Sequence, residues 1–126
     1  MKPVLPVVLG LSLAGFGGAP VWALDCDAPG TQAEMTACAG QDYATADAEL
    51  NAAYAEARTR AHERGAVQAG ALLQAQRAWI AYRDAACIAE GLEYDGGSMQ
   101  PMAVAMCKTE LTKRRSEDLR RLYNAM

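Results

Sequence analysis

In the stretch AQRAWIAYRDAAC (residues 75–87), Gln76, Trp79, Arg83 and Cys87 lie three, four and four residues apart. That spacing sets all four on one stripe of an α-helix, the stripe that ordinarily faces a core. Three kinds of chemistry could be sought around it. A thiol could act as nucleophile, a serine beside a histidine could transfer acyl groups, and paired carboxylates could exchange protons. Each fails on the residues available. Beyond the first 23 residues there are two serines, Ser98 and Ser116, and one histidine, His62, predicted far from both. His62 falls near a helix C-terminus, where a surface imidazole suits the dipole. Glu49 and Glu56 share a helix face but read as solvated surface. The cysteines are spaced by 12, 49 and 20 residues, without the CxxC pairs or clustered histidines that a metal site wants. We expect no enzyme, no metal and no cofactor.

The elements that must position the stripe follow from composition and periodicity. Residues 1–23 read as a cleaved signal peptide, with Lys2 before an apolar run and Val21-Trp22-Ala23 at the cleavage point. The run is shorter than the ~20 residues a span requires, and Asp25 argues against a lipid-anchored Cys26. The expected product is periplasmic or secreted, with no stable membrane insertion. It would comprise residues 24–126, one domain with 11 basic and 15 acidic side chains. A net charge of −4 disfavours nucleic acid and suits a basic protein partner. Alanine fills 24 of those 103 positions, which favours helix but buries little surface. Such a chain needs stapling, and export makes disulfides the expected use of its four cysteines.

Thr31 and Glu34 fit a capping box. From there Met35, Cys38, Ala39, Tyr43, Ala46, Leu50, Tyr54, Ala57 and Ala61 recur at helical spacing to about Arg64, with Gly40 as a kink point and Gly65 as the stop. A second helix runs from about Val67 to Glu90, with Leu72, Leu73, Gln76, Trp79, Ile80, Arg83 and Cys87 inward, ended by Gly91. Gly96-Gly97 turns the loop that follows, and a third helix capped near Ser98 carries Met102, Val104, Cys107, Leu111, Leu119, Leu122 and Tyr123 inward. The fold class is all-α, a three-helix up-down-up antiparallel bundle stapled by two disulfides.

An antiparallel hairpin turning at Gly65 places Arg83 opposite Asp47 and Asn51, and Trp79 near Tyr54. Together with Gln76 these form a structural polar clamp, since a buried guanidinium without a partner would be costly. Arg114 or Arg115 is a further candidate to turn inward onto Asp47. The other cations of the third helix, Lys108, Lys113, Arg120 and Arg121, read as a solvated face. Short loops favour Cys26–Cys38 with Cys87–Cys107, and Cys38–Cys87 with Cys26–Cys107 stays open.

These segments resemble the LprI-like family of exported lysozyme inhibitors. The resemblance is carried by TQAEMTACA (31–39), ADAELNAAY (46–54), QRAWIAYRDAAC (76–87) and GGSMQPM (96–102), then Cys107, Leu111-Thr112, Arg115 and Leu119. It implies a small disulfide-bonded helical domain that inhibits a lysozyme outside the cytoplasm by binding, not by catalysis. Glu93, Tyr94 and Asp95 put two carboxylates beside an aromatic in the loop, the expected contact for a basic c-type lysozyme. The alternative is an envelope structural or adaptor domain with another protein partner.

Overall fold

The computed structural model describes residues 24–124, so the leader read over residues 1–23 lies outside the described residues, as do residues 125–126. Three helices follow one another: α1 (Gln32–Arg64), α2 (Ala66–Gly91) and α3 (Gln100–Asn124). A single 3-10 turn, Leu92–Tyr94, lies between the last two, and there is no strand among the described residues.

The start of α1 is fixed by its own sequence. Thr31 Oγ1 accepts from the Glu34 amide at 3.2 Å, and Glu34 Oε2 accepts from the Thr31 amide at 2.9 Å. The helix runs unbroken through Gly40 for 33 residues, roughly 50 Å. One residue then reverses the chain. Gly65 has φ +121°, a region that L side chains rarely adopt, so the turn needs glycine. Gly91 acts differently. It keeps right-handed helical angles, and a β-carbon there would meet Val104 of α3 at 2.5 Å. Glycine at 91 permits close approach of α2 and α3 and is not a conformational stop. The first carbonyl of α3 that receives a helical bond is that of Met99, one residue past Ser98.

Helices α1 and α3 run parallel: Gln32 reaches Met102 near their starts, and Arg64 lies over Tyr123 near their ends. This is the closest seam of the bundle. It is built from small residues, with Ala46, Ala53, Ala57 and Ala61 buried on α1 and Thr112 and Ser116 buried on α3. Ser116 Oγ donates to the Thr112 carbonyl of its own helix, so its hydroxyl is satisfied locally. Helix α2 lies across that pair and contributes Leu72 to a core of Leu50, Ala53, Ala57, Ala61 and Leu119. Tyr54, Trp79 and Tyr123 pack against it from the rim.

Two of the residues expected inward on α2, Leu73 and Ile80, are exposed instead. On α1 Met35, and on α3 Leu122, are likewise exposed. The helical period selected the right elements, but the buried stripe on α2 is narrower because the layer beneath it is made of alanines. The cysteines pair Cys26 with Cys38 and Cys87 with Cys107, with Cα atoms 5.6 and 5.4 Å apart. The first bond ties an exposed entry segment to α1. The second joins α2 to α3 in the interior.

Candidate functional site

Two places concentrate polar chemistry: a buried knot where α1, α2 and α3 meet, and the loop after α2. The knot is organised by Arg83, whose side chain is only 8% exposed. Its Nε donates to Asp84 Oδ1 at 2.9 Å, and its Nη1 lies 3.6 Å from Asp47 Oδ1. The guanidinium carbon sits 5.4 Å from the Tyr43 ring centre and 5.2 Å from that of Trp79. Asn51 donates to the other Asp47 oxygen at 3.4 Å. Arg83, Asp47 and Asn51 are therefore brought together, with Asp47 the more distant of the two carboxylates.

Gln76 belongs to a second contact. Arg115 turns inward, but its Nε donates to Gln76 Oε1 at 3.0 Å instead of reaching Asp47, and its guanidinium lies 5.9 Å from the Trp79 ring. Trp79 thus serves two guanidinium groups, a use of the indole face that suits its quadrupole. Lys108 completes the knot, 3.5 Å from Asp84 and 5.7 Å from the Tyr43 ring. Tyr54 stands apart from these contacts, against the apolar core. Asp84, Tyr43 and Lys108 are the members that spacing alone does not assign to the knot, Lys108 being drawn from the expected solvated face by the Asp84 carboxylate. Asp84 adjoins Arg83 in sequence, and neighbours one apart do not face each other on a helix. Only the long arginine side chain lets the pair meet.

Burial pushes the Asp84 carboxyl up, but hydrogen bonding and charge from Arg83, followed by Lys108, outweigh it and hold it below its ordinary range. Burial raises the Tyr43 hydroxyl, against the opposing pull of Arg83. The depressed Asp84 value sets a sign. Its contribution to stability is present above the ordinary carboxylate range and is lost as pH falls through the folded-state value. The wild type should melt above an Asp84→Asn variant at about pH 6, and the gap should close by about pH 2–3. With the carboxylate 43% exposed, the gap is small. A gap that widens on acidification would exclude this linkage.

The loop is preorganised from both ends. The Asp95 amide donates to Leu92 O at 3.1 Å and the Gly97 amide to Tyr94 O at 2.9 Å. Gly96, at φ +71°, permits the turn. The Cys87–Cys107 bond holds the helices on either side. Glu93, Tyr94 and Asp95 are all exposed, and Leu92 and Met99 add apolar surface beside them. One helical turn before, Glu90 lines a groove of about 500 Å³ with Tyr82, Met106 and Glu110. Arg114, paired with Glu110, also lines this groove, so the end of the bundle carries Glu90, Glu93 and Asp95 beside an apolar and aromatic surface.

His62 and Ser116 do not form a pair: His62 is exposed on α1, while Ser116 is buried with its hydroxyl bonded to its own helix. No group of metal-ligating side chains occurs among the described residues. Glu110 pairs with Arg114 and Asp118 with Arg121, each at 2.8 Å on the exposed face of α3.

Residues 26–119 match the family described as Lysozyme inhibitor LprI. The chain belongs to the LprI family. That span covers the four cysteines, the Arg83 knot and the loop. A relative of this chain by sequence is an uncharacterised protein of Rhizobium meliloti (strain 1021). It is 44% identical over 111 residues, covering 80% of each chain. No solved structure matches. In an LprI domain of this architecture Arg83 is buried while its carboxylate partners Asp47 and Asp84 stay 43% exposed, and Glu93, Tyr94 and Asp95 of the loop are exposed. No helix among the described residues is long and apolar enough to cross a membrane.

Proposed function

We propose that the chain is an exported inhibitor that binds a basic c-type lysozyme and occludes its cleft, with no catalysis of its own. The observation that carries the reading is the family match over residues 26–119. A net charge of −4 beyond the leader supports a basic partner. The contact is assigned to Glu93, Tyr94 and Asp95, whose backbone-bonded loop presents two carboxylates and a ring with a reduced backbone ordering cost on binding. Charge complementarity at such a surface acts chiefly on association rate and on choice of partner. The Arg83 knot serves the reading indirectly, by keeping the bundle rigid behind the loop.

The experiment is a cell-wall lysis assay with c-type lysozyme, the disulfide-bonded protein being added up to stoichiometric excess. Lysis should fall as the protein is added, with an inhibition that weakens as salt screens the charges. Replacing Glu93, Tyr94 and Asp95 by alanine should leave the melting temperature nearly unchanged and weaken inhibition by about tenfold or more. Undiminished lysis at excess would discard lysozyme as the partner. Recovery of a different envelope protein, and no muramidase, would transfer the loop to an adaptor role.

A further inference from the structure

The outward face of α2 is uncharged along its whole length. Reading Ala71, Ala78, Ala85 and Leu92 as one heptad position and Val67, Gln74, Ala81 and Ile88 as the other gives an unbroken apolar seam with one amide. All eight residues are exposed, Val67 at 81%, Ile88 at 60% and Leu92 at 55%. Helices α1 and α3 lie on the opposite side, so nothing among the described residues covers this face. A surface helix normally turns charge to water here. In α2 only Arg77, Arg83, Asp84 and Glu90 are charged, and Arg83 is buried. Tyr82, 61% exposed, flanks the seam.

The sequence of this seam is complementary to its own reverse. Laid antiparallel on a second copy, Leu92 meets Val67, Ile88 meets Ala71, Ala85 meets Gln74 and Ala78 meets Ala81. No charge is buried, and each bulky group apart from the terminal pair faces a small one. The flanks agree. In the same register Arg77 falls beside Asp84 of the second copy, and two-fold symmetry makes that pairing twice. Among the described residues Arg77 has no ion pair, and Asp84 meets Arg83 and Lys108 through Oδ1 alone, its carboxylate 43% exposed. A parallel arrangement would instead set Arg77 beside Tyr82 of the second copy, with no opposite charge to meet.

We propose that the protein self-associates through α2 as an antiparallel, two-fold symmetric pair. The seam is about 39 Å long for 26 residues. It would bury on the order of 500 Å² per copy, toward the small end of specific interfaces. The pair is therefore reversible, with a dissociation constant of about 1–100 µM. It leaves Glu93, Tyr94 and Asp95 outside the seam, and it stands or falls independently of the lysozyme reading.

Sedimentation equilibrium on the disulfide-bonded protein from an exporting host, from about 1 to 500 µM, tests it without any lysozyme present. Mass should rise from one copy to two across that range. Ala78→Glu, on an exposed position, should hold the protein at one copy throughout with its dilute melting temperature unchanged. Arg77→Glu, which sets like charges on both flanks, should weaken the pair by about tenfold. A single-copy mass over the whole range, or a mass that rises equally in Ala78→Glu, overturns the proposal.

Discussion

Replacing Cys87 and Cys107 together by serine is expected to cost about 3 kcal/mol, a drop of roughly 10–20 °C in melting temperature. The sulfurs close a loop of 20 residues, and releasing it returns entropy to the unfolded chain. The bond is also an interior one, since Cys87 is fully buried and Cys107 nearly so. It holds the close approach of α2 and α3 at Gly91 and Val104. Loop entropy alone would give the Cys26–Cys38 bond, with 12 residues, almost the same value. Its location argues otherwise. Cys26 sits in an exposed entry segment that can detach while the helices stay packed. Thermal melts of the two double variants should therefore differ by several degrees, Cys87/Cys107 being the lower. Equal losses would mean that the entry segment is integral to the core.

The second large effect is at Arg83. Arg83→Ala should destabilise by about 2–4 kcal/mol, and the cause is packing more than stranded charge. The carboxylates it leaves, Asp47 and Asp84, are each 43% exposed and recover water readily. What is lost is a nearly buried side chain held between the Tyr43 and Trp79 rings. Arg83→Met, which keeps the stem and removes the charge, should cost about half as much. Urea melts at neutral pH separate the cases. Equal losses in the two variants would put the energy in the ion pairs.

Much of this bundle is legible in the sequence, for reasons that can be named. The capping box at Thr31, the glycine turn at 65 and the 3.6-residue period each act locally. Hairpin arithmetic from Gly65 brings Arg83 to Asp47, and short loops favour the two cysteine pairs that form. The α1–α3 seam was not readable. Alanines at 53, 57 and 61 are good helix formers anywhere, and nothing in them announces which helix will approach. Thr112 and Ser116 belong to types that are usually exposed, so nothing in the sequence marks them as buried. Ser116 is buried all the same, its hydroxyl satisfied by its own helix. Leu73 and Ile80 misled in the other direction. Their period is right, but a helix resting on a floor of alanines has a small footprint.

That floor bears on how the chain acquires its shape. The tightest contact joins the first helix to the last, so α1 and α2 alone can bury few of their apolar groups against each other. Each is too lightly supported to persist by itself. Until α3 joins, the molecule is expected to have no stable partial structure to adopt, and closing that long-range contact is expected to limit the folding rate. Acquisition of structure is thus a single late event for the entire polypeptide.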